Sequence, residues 1–451
     1  MKNILTLTCA SVVALGCATD LSAATPATQQ GDAALKAQVE MLMKRVNELE
    51  AKEKAVGNLT EKETVTSGNN LNLKLSGQVN RAVLWHDDGD HSNVVHVDPS
   101  AAASTRFRVD ATGKLSEGNT VGGTITADVR SNAAENIDVH NANDGTSSLN
   151  MRIAEGYFDS KRWGKVTLGH GWTAASRVTR HTDLSNTDAI SSGTSVGQLA
   201  GGTQFVNKNL PSADPAFGAT AANKATSTGG AALTISRLFN DLGNGSGRED
   251  RIQYDTPTYW GTKLAASHVY KGRNDMWDVA LMHASTVMGT KIAIQGSYIH
   301  DLANTGAVTA ADNLPAKYTQ WNGSIGALFP IGLSLQFATT YRNWKVNAAP
   351  DGKIYYGKVG YQQNFFEAGK TALALDYGHF ENMFLNRGLN DVNIRKDYVG
   401  KTYGAGLVQH IDRVATEIYL SARVYSLDGD STDTARFKDI TMVMSGVRVK
   451  F

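Results

Sequence analysis

The sequence predicts an all-β protein: a sixteen-stranded antiparallel β-barrel that crosses a membrane, preceded by a short α-helical coiled coil. Three observations carry that reading. From Leu71 onward, apolar and polar residues alternate with a period of two in segment after segment. The polar faces carry charges in mid-strand, where the dry core of a β-sandwich would leave them without water. Short and long connections alternate along the chain, which is the asymmetry of outer-membrane barrels.

Composition narrows the field first. The 451 residues include 44 basic and 43 acidic side chains, a formal charge of +1. No net field favours nucleic acid, and no nucleic-acid partner is expected. After the first ~20 positions there is no apolar run of the ~18 residues a spanning helix needs, which excludes a helical membrane protein.

Residues 1–24 read as a secretory signal peptide. Met1-Lys2-Asn3 is a cationic start, Ile4 to Ala18 is apolar, and Ser22-Ala23-Ala24 supplies the small residues for cleavage. A lipoprotein signal is the second reading, through Ala14-Leu15-Gly16-Cys17, although Ala stands where Leu is preferred. Cys9 and Cys17 both lie inside this segment, so the processed chain would hold no disulfide, thiol nucleophile or Cys-ligated zinc.

Residues 25–57 form the coiled-coil segment. Leu35, Leu42, Leu49 and Val56 repeat every seven residues, with Val39 and Val46 between them, and Lys36, Glu40, Lys44, Arg45, Glu48, Glu50 and Lys52 fill the outer face. Three heptads broken at Glu53 are also compatible with a single amphipathic helix packed on a domain. The segment argues for self-association without fixing the number of chains. Polar residues 58–70 read as a linker.

The barrel occupies residues 71–451. Leu71, Leu73, Leu75, Gly77 and Val79 oppose Asn72, Lys74, Ser76, Gln78 and Asn80. Val121, Gly123, Ile125, Ala127 and Val129 oppose Thr124, Thr126, Asp128 and Arg130, and Leu333, Leu335, Phe337 and Tyr341 oppose Ser334, Gln336, Thr340 and Arg342. Sixteen such segments start near 73, 104, 120, 151, 165, 250, 262, 278, 291, 317, 333, 353, 370, 398, 416 and 437. An even count puts both ends on the periplasmic side. Eighteen strands stay open, because residues 172–247 are long enough to hold a further hairpin. Turns at 116–119, 287–289 and 330–332 are tight, whereas 87–103, 131–150, 301–316 and 380–396 are long polar loops. Trp85, Trp163, Tyr259-Trp260, Trp277, Trp344 and Phe451 sit at strand ends, where interfacial girdles place aromatics. Glu155 breaks parity on the apparent lipid face, so a bulge lies there or a neighbouring subunit covers that wall.

Several stretches resemble the Gram-negative general porins. Gly164-Lys165-Val166-Thr167-Leu168-Gly169-His170-Gly171 is similar to their fifth strand, and Arg251-Ile252-Gln253-Tyr254-Asp255-Thr256-Pro257 with Tyr259-Trp260-Gly261 to the strand and turn after their constriction loop. Gly446-Val447-Arg448-Val449-Lys450-Phe451 resembles the porin C-terminus, whose last aromatic residue signals assembly. The resemblance implies a homotrimer of barrels in outer-membrane lipid and lipopolysaccharide, each a water-filled channel narrowed by its third extracellular loop. It also implies that the barrel assembly machinery recognises Phe451. The chain departs from the pattern in its coiled coil, for which peptidoglycan is a candidate contact, and in the length of residues 172–247.

Selectivity in such a channel comes from charged rings, not catalysis, and no cofactor is expected. Parity turns Lys74, Arg106, Arg108, Arg130, Arg152, Arg251, Lys291, Arg342, Lys358 and Arg423 inward, against Asp110, Asp128, Asp255 and Asp376. The resemblance places the basic wall on the first strands, so Lys74, Arg106, Arg108, Arg130 and Arg152 are the candidates for the narrowest point. Asp183 and Asp188 resemble the loop carboxylates that face it. Asp87, Asp88, Asp90 and His91, with His96 and Asp98, are weak candidates for a divalent cation, because their spacing fits no EF-hand. No motif of a hydrolase, metalloprotease or nucleotide site appears, so an enzyme is not expected. The leading function is passive diffusion of small hydrophilic solutes and ions with modest anion preference. The alternatives are a substrate-specific channel for a sugar or organic anion, which would show a lumenal run of aromatics, and a surface or peptidoglycan attachment protein.

Overall fold

The computed structural model describes residues 64–67, 71–99, 103–142, 147–190, 196, 199–210, 224, 232–240, 242, 247–271, 274–301, 317–345, 350–383, 398–429 and 436–451. The chain divides into two units, Met1–Glu63 and Thr64–Phe451. The signal peptide and coiled coil fall in the first and lie outside the described residues.

In chain order the strands are β1 (Thr64–Ser67), β2 (Leu71–Asp87), β3 (Ser92–Val97), β4 (Arg106–Ser116), β5 (Asn119–Ser131), β6 (Ser147–Ser160), β7 (Gly164–Trp172), β8 (Arg248–Asp255) and β9 (Thr262–Lys271). They continue as β10 (Asn274–Val287), β11 (Thr290–Asp301), β12 (Tyr318–Leu328), β13 (Leu333–Trp344), β14 (Gly352–Phe366), β15 (Gly369–Glu381), β16 (Val399–Ile411), β17 (Thr416–Asp428) and β18 (Ile440–Lys450). Strand β2 and strands β4 to β18 are the sixteen staves of a closed antiparallel barrel, and β18 pairs back onto β2 through Thr441↔Asp87 to Lys450↔Gln78. Every expected strand start lies within four residues of an observed one. Closure leaves no unpaired edge in lipid, the condition for spanning with strands.

The remaining two strands are additions to β2. Thr64–Ser67, within the stretch read as a linker, pairs with Leu71–Lys74. Ser92–Val97 folds back on Ala82–Asp87, so the polar loop expected over 87–103 is partly a hairpin. Its turn chemistry is local: Gly89 has φ 84, and Asp88 Oδ1 accepts the backbone N–H groups of Asp90 and His91 at 2.9 and 2.8 Å. At the opposite end the connections are tight, as in Met288-Gly289, whose φ values of 51 and 78 make a two-residue hairpin turn.

Alternation holds around the ring. Leu75, Ile125, Ile252, Leu281, Trp321, Phe337 and Leu375 are exposed outward, while their neighbours are buried or half-buried toward the lumen. The parity break at Glu155 is a bulge. The β5–β6 register jumps from Thr126↔Ile153 to Ala127↔Met151, leaving Arg152 extra and turning Glu155 inward. There Glu155 Oε2 accepts from Arg251 Nη2 at 2.8 Å.

Candidate pore constriction

Residues 173–247 join β7 to β8, and their described part folds into the barrel. Their first part carries helix α1 (Val178–Thr182) and runs along the inner wall from β9 to β17. The backbone N–H groups of Ala174 and Ala175 donate to Ser267 Oγ and Asp278 Oδ2, both at 3.2 Å. His181 Nδ1 stands 2.9 Å from Gln295 Oε1, Gln336 Nε2 donates to Thr182 Oγ1 at 2.9 Å, and Tyr425 OH donates to the Val196 carbonyl at 2.6 Å. Between these, Lys358 Nζ donates to Asp183 Oδ2 at 2.8 Å, with both side chains buried. Two inward glycines make room. A Cβ on Gly326 would meet Thr182 O at 1.8 Å, and one on Gly406 would meet Ile190 Cδ1 at 2.1 Å.

The second part of the loop carries α2 (Ile235–Leu238) and builds an apolar core inside the barrel. Phe205, Leu233, Ile235 and Phe239 pack with Leu84, Tyr356, Phe380, Tyr425, Ile440 and Met442 from the inner faces of β2, β14, β15, β17 and β18. The Phe239 ring lies 5.2 Å from Phe380 and 5.0 Å from Tyr425. Part of the lumen is therefore apolar and dry. An inserted element this long must bury its own apolar residues, and the inner wall provides the partner surface. Inward Tyr356, Tyr419 and Tyr425 are fully buried.

Facing the first part of the loop, the inner walls of β4, β5, β6 and β8 carry arginines. Arg130 pairs with Glu135 at 3.0 Å and Asp128 at 3.2 Å, and Arg152 pairs with Asp128 at 2.5 Å. Arg106 has no carboxylate partner among the described residues, and its electrostatic neighbours are Arg152 and Arg180 before Asp128 and Asp188. Nearer the short-turn end, Arg108 forks onto Asp110 with two bonds of 2.7 Å, and Lys74 stands opposite Asp110 in the β2–β4 register.

Of the two loop carboxylates, only Asp188 acts on this wall, through Arg106. Asp183 lies on the far side with Lys358. Asp188 pairs with Arg180 and stands 3.7 Å from Arg448 Nη1. The loop also turns basic residues toward the wall. Arg177 and Arg248 both lie against Trp172, their guanidinium carbons 5.4 and 4.7 Å from its ring centre. Neither has an ion-pair partner among the described residues, and Arg177 Nε and Arg248 Nη1 are buried without an acceptor. Burial, then neighbouring Arg180, pushes Arg177 down to about 10, still cationic at neutral pH. Burial and Arg177 also lower His181, which favours an uncharged imidazole there. Arg177 takes a left-handed backbone, φ 63, where the chain enters α1.

Sequence reasoning missed Arg177, Arg180, Arg248 and Trp172. Arg177 and Arg180 are three apart, one turn of α1, and that spacing was the available signal. Strict alternation from Arg251 and Asp255 puts Arg248 outward, but it sits at a strand end, where Trp172 holds it. The weak cation candidates have other partners. Asp88 pairs with Lys224, Asp90 Oδ1 accepts from Lys438 at 2.8 Å, and Asp87 Oδ1 accepts the Gly89 N–H at 2.6 Å. Lysines take the position a cation would fill, and no three-ligand group exists among the described residues. Trp344, expected in a girdle, turns inward with Tyr318 and Arg342, whose guanidinium carbon lies 4.8 and 4.2 Å from their ring centres.

A family model described as Gram-negative porin matches residues 33–430. The chain belongs to the Gram-negative porin family. The porin fold is shared with solved structures at low identity. The anion-selective porin of Comamonas acidovorans is 13% identical, with 84% of this chain and 100% of that one aligned at a TM-score of 0.54. OmpF of Salmonella typhi, solved with daunomycin, is 13% identical over 85% of this chain and 99% of its own, at 0.51. OmpT of Vibrio cholerae is 12% identical over 86% and 100%, also at 0.51. No curated protein matches the sequence. The protein is an outer-membrane porin, a diffusion channel in a transmembrane β-barrel, and the solute path is what the inserted loop leaves open.

Proposed function

We propose that this porin passes small hydrophilic solutes with a modest preference for anions, through a constriction lined by Arg106, Arg130, Arg152, Arg177, Arg180 and Arg248. The observation that carries the reading is the charge count at that level. Six arginines meet three carboxylates there, Asp128, Glu135 and Asp188, and three of the arginines are unpaired. In a narrow aqueous pore, uncompensated positive charge raises local anion concentration and lowers the barrier to anion passage. Lys74 and Arg108 contribute less, because Asp110 offsets them. The zero-current potential across a tenfold KCl gradient tests the reading. An anion-side sign is expected, short of the ~59 mV of perfect selectivity; a cation-side sign overturns it.

The assembly proposed is a homotrimer whose contact face is the outer wall of β2, β4, β5 and β6. Arg81 points outward there between Val79 and Val83, where a charge against lipid costs about 2–4 kcal/mol. It donates to the Ser131 carbonyl at 2.9 Å and Ser131 Oγ at 2.8 Å. Outward Trp277, Tyr298, Trp321, Tyr341, Tyr355, Tyr377 and Tyr403 mark a lipid interface along β10 to β16. The outward positions of β4, β5 and β6 carry no Trp or Tyr. For assembly, Phe451 is proposed as the recognition residue. It exchanges backbone hydrogen bonds of 2.8 and 3.0 Å with Gly77, and its ring fills the space a Cβ there would need.

A further inference from the structure

The outer wall of β14 to β17 is not smooth. A groove of about 510 Å³ is cut into it, lined by apolar residues of all four strands. Its cause lies in the register. One outward row runs Val359, Leu375, Ala405, Ala422 and Val443 across paired strands, so two directly opposed alanines stand between a leucine and a valine. The next outward row toward the long loops holds Tyr377, Tyr403 and Val424, and the next toward the short turns holds Leu373, Leu407 and Leu420. Methyl groups ringed by larger side chains leave a depression. The same strip is thin from the inside. Gly360 and Gly406 turn toward the lumen, where a Cβ would meet Ser185 Cβ at 2.8 Å and Ile190 Cδ1 at 2.1 Å on the inserted loop.

We infer that this groove binds an acyl chain of one glycerophospholipid of the periplasmic leaflet, whose headgroup carries both phosphate and ammonium. It does not depend on what passes through the pore. Height in the membrane selects the leaflet. Leu407 lies four residues and Ala405 six from the short-turn end of β16 at Ile411. At ~3.3 Å per residue and ~40° of tilt, that is about 10–15 Å, the reach of one leaflet in an apolar band ~25 Å tall. Below the groove the outward row turns polar: Gln363, Thr371 and Gln409 follow one another in register, and Thr371 Oγ1 donates to Gln409 Oε1 at 2.6 Å. Ester groups sit at that level. At the turns beneath, Lys370 and Arg413 stand with Glu367 and Asp412, and the two turns touch through the Asp412 N–H on the Ala368 carbonyl at 2.9 Å. Both signs of charge match a headgroup that has both. The wall around the groove is a lipid wall. Tyr377 and Tyr403 pair their rings at 5.2 Å on one side of it, and Tyr361 and Phe365 at 6.2 Å on the other. A chain seated among the leucines touches apolar atoms on three sides, where a flat wall offers one. It also backs the thin strip on which the loop packs.

The test is photolabelling of the full-length porin in phosphatidylglycerol vesicles that hold a trace of phosphatidylethanolamine with a diazirine near the end of its acyl chain. Peptides around Ala405 and Ala422 should label about tenfold above the similarly open lipid wall at Leu281 and Ile325. Unlabelled phosphatidylethanolamine should compete this excess away. Ala405→Leu with Ala422→Leu fills the groove, and its labelling should fall to that of the rest of the wall. Both side chains point into lipid, so heat-modifiable migration should stay normal; if the double variant does not insert, the wild-type comparison decides alone. Even labelling of the whole outer wall overturns the groove. Groove peptides left unlabelled while the rest of the wall labels would show a second copy covering them, which overturns the lipid and also the contact face proposed above. An equal excess from a phosphatidylglycerol probe overturns the headgroup assignment.

Discussion

Arg177 and Lys358 show how one residue type takes opposite roles in the same lumen. Lys358 is buried beside Asp183, and its charge is spent on holding the loop to β14. Arg177 is held against Trp172 with no carboxylate, and its charge is left for the pore. Removing one partner of a buried pair leaves the other uncompensated, about 3–5 kcal/mol. Asp183→Asn is therefore expected to loosen the loop locally, seen as greater open-channel current noise with normal barrel migration; noise equal to wild type would contradict the anchoring role. Asp98 gives a pH test. It lies beyond β3, and burial raises its carboxyl to about 6. A folded value above the unfolded one means that the native state keeps a proton in the window from about 4 to 6, so this contribution to stability is lost as pH rises through that window. Wild type should lose heat stability between pH 5 and pH 8 by more than Asp98→Asn does. Equal losses would show that Asp98 does not titrate there.

At the scale of elements, the strands were legible and the loop was not. Alternation from Leu71 to Phe451 placed all sixteen staves, because one face must meet lipid and period two leaves no other register. The inward arginines Arg106, Arg130 and Arg152 were legible for the same reason. Residues 173–247 have no such repeat, so the apolar core around Phe239 could not be read from spacing, and the three-residue interval of Arg177 and Arg180 was the one trace of their role. A trace of the loop was nevertheless present in the wall it touches: Gly326 and Gly406 occupy inward positions where side chains would collide with it. Its course can be tested by a disulfide, since the described residues contain no cysteine to interfere. Thr182 Oγ1 and Ser324 Oγ are 2.5 Å apart, and Thr182→Cys with Ser324→Cys should cross-link on oxidation and leave the channel conducting. Failure to cross-link in a correctly folded double variant would place α1 elsewhere. Phe239→Ala removes a ring packed on three others, about 3–5 kcal/mol of core packing. It should make the loop cleavable by protease at the long-loop end without unfolding the barrel.

For the whole molecule, net charge is a poor guide to what passes through it. A chain of formal charge +1 pairs Arg108, Arg251, Arg423 and Lys358 with carboxylates and leaves Arg106, Arg177 and Arg248 without an ion pair among the described residues, so position outweighs sum. The inserted loop adds to this by packing part of the lumen with apolar residues. The central claim is that selectivity arises from the unpaired arginines, and zero-current potential across a KCl gradient in matched variants tests it most directly. The account predicts an anion preference in wild type that falls toward neutrality when Arg106, Arg177 and Arg248 are together replaced by Gln, and that stays near wild type in Arg108→Gln, whose charge Asp110 already offsets. An Arg108→Gln shift as large as that of the triple variant, or a triple variant with unchanged potential, would contradict it.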